Sequence, residues 1–246
     1  MSRVLEILDL VTKLDHGPIT VHVHLEALET YSRIGTRVDD LGHGRSLVSG
    51  PRTDLETTER IQRANRYIST RRYAVANQLD AMITLTAGAP SVSRAALTAE
   101  TTNAFRRAKR LSGFTFPFIW VVEGGWPDCS DGHQRAHVHA LVPHAATPPL
   151  MATWFLGDSN VTVLSGTDQI RRAARYITKA LPPGKGRLIH TCPGFKPKPQ
   201  LYALPSSESL SGFVIEKFGG PPDQVIRPDE RAPQCGLSFL WLSSEK

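Results

Sequence analysis

Cysteine is scarce in this 246-residue chain: Cys129, Cys192 and Cys235 are the only three, and no two form a Cys-x-x-Cys pair. An odd, scattered set argues against a disulfide framework. Long apolar runs are missing too, with nothing approaching the 18 or so residues that a membrane-spanning helix needs. The N-terminal MSRVLEILDLVTKLDHG breaks its apolar residues with Glu6, Asp9 and Lys13, so the uninterrupted core of a secretory signal is lacking. No Gly-x-x-x-x-Gly-Lys-Ser/Thr occurs, and Gly184-Lys185-Gly186-Arg187 does not meet that pattern, which excludes a P-loop within the sequence. Internal repeats are absent. The expectation is a cytoplasmic protein with no membrane partner.

What is present points elsewhere. A hydrophobic fraction of 40% and a charged fraction of 21% suit a globular chain able to bury a sizeable core. Twenty-nine Lys and Arg against 23 acidic residues leave a net charge of +6, which favours a polyanionic partner. The excess is clustered: Arg60, Arg63, Arg66, Arg71 and Arg72; then Arg106, Arg107, Lys109 and Arg110; then Arg171, Arg172, Arg175 and Lys179. Any one cluster is explained by a solvated helix face, but the three together make nucleic acid the leading partner.

Residues 1–75 read as a helical, arginine-rich appendage, on the helical spacing of RVLEILDLV and of TDLETTERIQRANRYI, with EALETYSRI also taken as helix. From 76 to 246 the pattern changes. LDAMITLTAG reads as a strand, VSRAALTAETTNAFRRAKRLSG as a helix ending at a glycine, and FTFPFIWVVEGG and AHVHALVP as strands joined by a polar turn. VTVL (161–164) reads as a further strand and TDQIRRAARYITKALPPG as a helix capped by Thr167 or Asp168. After about 183 the chain turns Pro- and Gly-rich, with strand-like FVIEKF and LSFLWLS completing the sheet at its edge. The order predicts an α+β fold, an antiparallel central sheet with helices packed on it.

Side chains alternate across a strand, so His137 and His139 share one face while Val138, Ala140 and Val142 face a core. In the preceding strand Phe116, Phe118, Trp120 and Val122 share one face, and Ile119, Val121 and Glu123 the other. Hairpin pairing of the two strands would set Glu123 beside the histidines. One carboxylate and two imidazoles suit Mg²⁺ or Mn²⁺, with positions left for water and phosphate oxygens. In the last helix Ile170, Ala173, Ala174, Ile177 and Leu181 form a docking stripe. Tyr176 flanks that stripe, with Arg172 and Lys179 on its own side. A tyrosine among cations that neutralise phosphate, presented near a metal site, is a candidate phosphodiester nucleophile.

Three rival readings use other residues. His22 and His24 form a second His-x-His, set aside because the following EALETYSRI reads as helix, where positions two apart diverge by about 200°. Cys129, His133, His137 and His139 could be written as a zinc site, but no second cysteine supports it. His144 reads as a surface residue, and Cys192 as inert.

The order Ile83-Thr84-Leu85-Thr86, a strand ending in Glu123, His137-Val138-His139 and Tyr176-x-x-Lys179 resembles the three motifs of the HUH endonucleases, over about residues 80–182. More narrowly it is similar to single-tyrosine rolling-circle replication initiators (Rep proteins) of plasmids and phages. The resemblance implies a ferredoxin-like sheet and Glu123, His137 and His139 as ligands of a divalent metal, Mg²⁺ or Mn²⁺. It implies Tyr176 as catalytic nucleophile, assisted by Lys179, and nicking of single-stranded or origin DNA through a 5′-phosphotyrosyl link. A host helicase and polymerase would then be partners. A relaxase or an HUH transposase would share the chemistry, and a non-catalytic DNA-binding protein with structural histidines is the reading of a different class.

Overall fold

In the computed structural model, residues 19–24, 29–34, 55–89, 92–124, 136–179, 181, 188–198, 200–204, 210–218, 224–226 and 238–242 are described. The chain forms two compact units, Leu55–Lys196 and a second built from Met1–Asp54 with Pro197–Lys246.

Chain order gives β1 (Ile19–His24), β2 (Glu29–Ile34), α1 (Leu55–Ala76), β3 (Ala81–Thr86), α2 (Arg94–Ser112), β4 (Ile119–Glu123), β5 (His137–Val142), α3 (Thr147–Thr153), β6 (Ser159–Val163) and α4 (Gly166–Lys179). Then come β7 (Ile189–Thr191), β8 (Gln200–Leu204), α5 (Leu210–Phe218), β9 (Gln224–Ile226) and β10 (Ser238–Leu242).

The central unit is the expected α+β fold: a five-stranded antiparallel sheet in the order β6-β3-β5-β4-β7 with helices packed on it. Strand alternation sorts its residues into two cores. Ala81, Ile83 and Leu85 of β3, Trp120 and Val122 of β4, and Val138, Ala140 and Val142 of β5 meet Leu97, Ala104 and Phe105 of α2 and Leu150 of α3. On the opposite face Ile119, Val121 and Leu141 meet Tyr73, Ala74 and Val75 of α1 and Ile170, Ala173, Ala174 and Ile177 of α4. Because both faces are covered, the central strands are nearly all apolar. Polar residues gather only at one end of the α1/α4 face.

Local signals hold the elements in place. The Ser93 hydroxyl accepts the Ala96 N–H at 3.2 Å to cap α2, and Gly113 closes that helix with φ of 73° while its N–H returns to the Lys109 carbonyl. The β3 and β6 strands are tied beyond their ends by Thr86 N–H to the Asp158 carbonyl (2.9 Å) and Gly88 N–H to the Leu156 carbonyl (2.8 Å). No helix among the described residues is long and apolar enough to cross a membrane.

The N-terminal part differs from the helical expectation. Residues 55–76 are helical, but α1 lies on the central sheet as part of its core. Residues 19–24 and 29–34, including most of EALETYSRI, are strands. They join a second antiparallel sheet in the order β8-β1-β2-β10-β9. β1 and β2 pair with each other across residues 25–28, and their outer partners, β8 and β10, come from the distant C-terminal part of the chain. FVIEKF, expected as a strand, belongs to helix α5, whose Phe213 ring stacks edge-on against Tyr202 of β8 at 5.0 Å. LSFLWLS is a strand as expected, β10, but it lies between β2 and β9 in the second sheet, and the edge of the central sheet is formed instead by β7. RVLEILDLV lies outside the described residues.

Candidate metal and tyrosine site

The β4–β5 hairpin aligns Glu123 with His137 and Val121 with His139. On the other side of β5, β3 aligns Thr84 with His139 and Thr86 with His137. Directly opposed residues share a face, so three adjacent strands place Glu123, His137, His139 and Thr84 together at the end of the α1/α4 face. One ligand atom from each of Glu123, His137 and His139 lies within 4.8 Å of the other two. A Glu123 carboxylate oxygen is 2.9 Å from His139 Nε2 and 3.5 Å from His137 Nε2, and the two Nε2 atoms are 3.0 Å apart.

The donor chemistry fits a divalent cation. His139 is buried, and its Nδ1 meets Thr84 Oγ1 at 3.1 Å. Burial, reinforced by the adjacent His137, holds its pKa below the ordinary 6.5 against the opposing pull of Glu123. In the tautomer that donates Nδ1–H to the Thr84 hydroxyl, the neutral ring leaves its Nε2 lone pair available to a cation on the side of the carboxylate and the second imidazole. A cation shared by the carboxylate and the two imidazoles fits these distances, and a hydrogen bond on the other ring nitrogen is what orients metal-binding histidines.

Glu123 is steadied from the opposite layer. Arg94, in the first turn of α2, donates Nη1 hydrogen bonds to the carbonyls of Val122 (2.8 Å) and Gly124 (3.3 Å), bracketing Glu123. Neither Thr84 nor Arg94 was assigned a role from sequence. Period-two alternation of ITLT places Thr84 on the same face as Thr86, so a polar pair on an otherwise buried strand was the available signal for Thr84. Arg94 carried none, because its partners are backbone atoms of a distant strand.

Helix α4 brings the tyrosine. Its stripe of Ile170, Ala173, Ala174 and Ile177 is buried against the sheet, as is Leu181 just beyond its end. Tyr176 lies at the flank, 51% exposed, with its ring centroid 5.1 Å from that of His139 in an edge-to-face arrangement. Arg172, Arg175 and Lys179 are exposed on the same helix. Lys179 stands three residues beyond Tyr176, in the last turn. Arg171 is instead buried and pairs with Asp168 at 3.3 Å. Two other clustered arginines have structural surroundings as well: Arg71 is buried with its guanidinium over the Tyr67 ring, and Arg107 pairs with Glu100 while lying over Phe155.

The remaining candidates fall away from this site or outside the described residues. His144 is exposed beyond the far end of β5, and its backbone N–H donates to Asp80 Oδ1 at 2.6 Å. Cys192 is a buried free thiol whose Sγ lies 3.1 Å from Lys109 Nζ. Cys129 and His133 lie outside the described residues. Comparison with protein-family models, curated proteins and solved structures finds no match to this chain.

Proposed function

We propose that this chain is an HUH-type DNA strand transferase that nicks and rejoins single-stranded DNA at a specific site and so initiates rolling-circle replication. One observation carries the reading: a half-exposed tyrosine, on a helix docked by its apolar stripe, rests against a histidine of a Glu-His-His cluster. Glu123, His137 and His139 would hold Mg²⁺ or Mn²⁺, which when bound polarises the scissile phosphate.

The Tyr176 hydroxyl oxygen attacks phosphorus in line and gives up its proton to solvent, while the bond to the 3′-oxygen breaks and that oxygen takes a proton from solvent. The products are a 5′-phosphotyrosyl link and a free 3′-hydroxyl. Arg172, Arg175 and Lys179 neutralise phosphates on either side of the reacting one. Attack by a 3′-hydroxyl on the phosphotyrosyl link rejoins the ends and frees Tyr176, so the cycle conserves phosphodiester bonds without ATP. The 3′-hydroxyl primes a host polymerase, and unwinding is assigned to a host helicase. Relaxases and HUH transposases share this chemistry and differ in the DNA they act on.

The test is incubation of the full chain with Mn²⁺ and a library of labelled single-stranded oligonucleotides, followed by denaturing electrophoresis. A covalent adduct that maps to Tyr176 by mass spectrometry is expected. Tyr176→Phe keeps the ring packed on His139 and should abolish the adduct while leaving DNA affinity nearly unchanged. An adduct at the wild-type level in Tyr176→Phe would overturn Tyr176 as the nucleophile and move that role to Tyr67, Tyr73 or Tyr202, whereas no adduct from any library member would overturn the reading and favour a DNA-binding protein with structural histidines.

A further inference from the structure

The second sheet contains a constellation that the central site does not use. His22 and His24 lie two apart in β1, and the β1–β2 register sets His24 directly opposite Glu29 and His22 opposite Tyr31. In the central sheet the equivalent placement is His137 opposite Glu123, with His139 two residues further along. In both hairpins the acidic residue and the nearer histidine flank the connecting segment, residues 124–136 in one and 25–28 in the other, with the strand order reversed. Where the side chains are described, in the central sheet, this backbone placement brings three ligand atoms within 4.8 Å of one another.

Alternation sets His22 and His24 on the face of β1 opposite to that of Val23. Between them in β1 is Val23, which is 0% exposed, and across the sheet from Ile19 is Leu204, 2% exposed. Val23 and Leu204 therefore mark the packed face, the one on which Tyr202 of β8 meets Phe213 of α5. The β8 residues aligned with the other face tell the opposite story: Leu201, opposite His22, is 52% exposed, and Ala203, opposite Thr20, is exposed. The neighbours on β10 are Leu240 opposite Tyr31 and Leu242 opposite Glu29. Two imidazole-bearing residues and one carboxylate-bearing residue thus share one face of the sheet, at register positions bordered by those of Leu201, Leu240 and Leu242.

We propose that His22, His24 and Glu29 form a second, independent metal site that takes Zn²⁺ or a similar divalent transition ion. Two imidazoles with one carboxylate are a donor set suited to zinc, with a remaining position for water or an incoming ligand. Cross-strand Cβ atoms are about 4.5–5.5 Å apart and residues two along a strand about 7 Å, distances that three bonds of roughly 2.0–2.2 Å to one ion can span. The proposal does not rest on the nickase reading.

The experiment counts Zn²⁺ bound to the full chain by equilibrium dialysis at micromolar free ion. Wild type should hold two ions, His137→Ala/His139→Ala one, His22→Ala/His24→Ala one, and the fourfold variant none. Glu29→Gln, which keeps size and polarity, should weaken the ion retained by His137→Ala/His139→Ala at least tenfold. Zinc titration of that folded double variant should also shift the imidazole resonances of two histidines, and both signals should vanish when His22 and His24 are replaced. Unchanged stoichiometry in His22→Ala/His24→Ala, or no effect of Glu29→Gln, would overturn the second site. A count that stays at two in His137→Ala/His139→Ala would instead break the central reading and leave this one standing.

Discussion

Both ring nitrogens of His139 are engaged, Nδ1 with Thr84 Oγ1 at 3.1 Å and Nε2 with Glu123 at 2.9 Å. The ring orientation is therefore set by β3 before any ion arrives. Removing the Thr84 hydroxyl while keeping its shape leaves all three ligands in place but frees the ring to rotate and change tautomer. Thr84→Val should lower Mn²⁺ affinity about 10- to 100-fold, the usual cost of losing such a partner, with the fold intact. Calorimetric titration with Mn²⁺ checks this, and an unchanged affinity would remove Thr84 from the site. A second buried residue makes a pH prediction. The Tyr73 hydroxyl donates to the Cys192 carbonyl at 3.1 Å, and burial, followed by the neighbouring Cys192 thiol, pushes its pKa from 10.0 up to about 12. The fold thus disfavours the phenolate. Its contribution is fully present below pH 10, the unfolded value, and is lost as pH rises through about 12. Urea unfolding between pH 9 and 12 should show an alkaline fall in stability that is shallower in Tyr73→Phe.

At the scale of elements, the close approach of the β3 and β6 ends fixes the rim of the site. A Cβ on Gly157 would stand 2.4 Å from the Gly88 nitrogen and 2.5 Å from the Thr86 oxygen, both backbone atoms that cannot rotate away. Gly157→Ala must therefore displace the end of β3, and Thr86 there is the register partner of His137. Gly113→Ala is the contrasting substitution: φ is 73° but nothing lies within 4 Å, so only backbone strain of about 1 kcal/mol is added. Chemical denaturation should show Gly157→Ala losing roughly 1–3 kcal/mol, with weakened Mn²⁺ binding, and Gly113→Ala losing less with binding unchanged. Equal binding in the two would separate the β3 end from the site. These elements also show what the sequence could disclose. The β4–β5 hairpin was legible because alternation in FIWVVE and HVHALV fixes both faces and the turn between them fixes the partner. Helix α3 was not, since a seven-residue helix containing Pro148 and Pro149 offers no periodic stripe to read, although the first turn of a helix tolerates proline. FVIEKF failed in the other direction, because β-branched residues favour strands only weakly against tertiary packing. The second sheet was hidden for a different reason. ITVHVH pairs on one side with the neighbouring ETYSRI, which reads as helix, and on the other with QLYAL, near the other end of the chain, a pairing that no local pattern carries.

Over the whole central unit, the metal triad and the two cores are separate contributions to stability. The sheet is buried on both faces, by α2 and α3 on one side and α1 and α4 on the other, and the triad occupies only the polar end of one face. At about 25 cal/mol per Å² of apolar surface, cores of this kind supply the bulk of the folding free energy. An ion held by Glu123, His137 and His139 adds to it only through its binding equilibrium, about 2.7 kcal/mol at a hundredfold excess over the dissociation constant. The expectation for metal removal follows. EDTA should leave the circular dichroism of the chain unchanged at 25 °C, lower the melting temperature by several degrees relative to protein saturated with Mn²⁺, and abolish adduct formation. Glu123→Gln should remove most of the Mn²⁺-dependent rise in melting temperature while keeping the melting temperature in EDTA close to that of the wild type. Both readouts come from one set of melting curves. A chain that unfolds in EDTA would mean that the ion is structural, and the separation of site from core argued from the two clusters would be wrong.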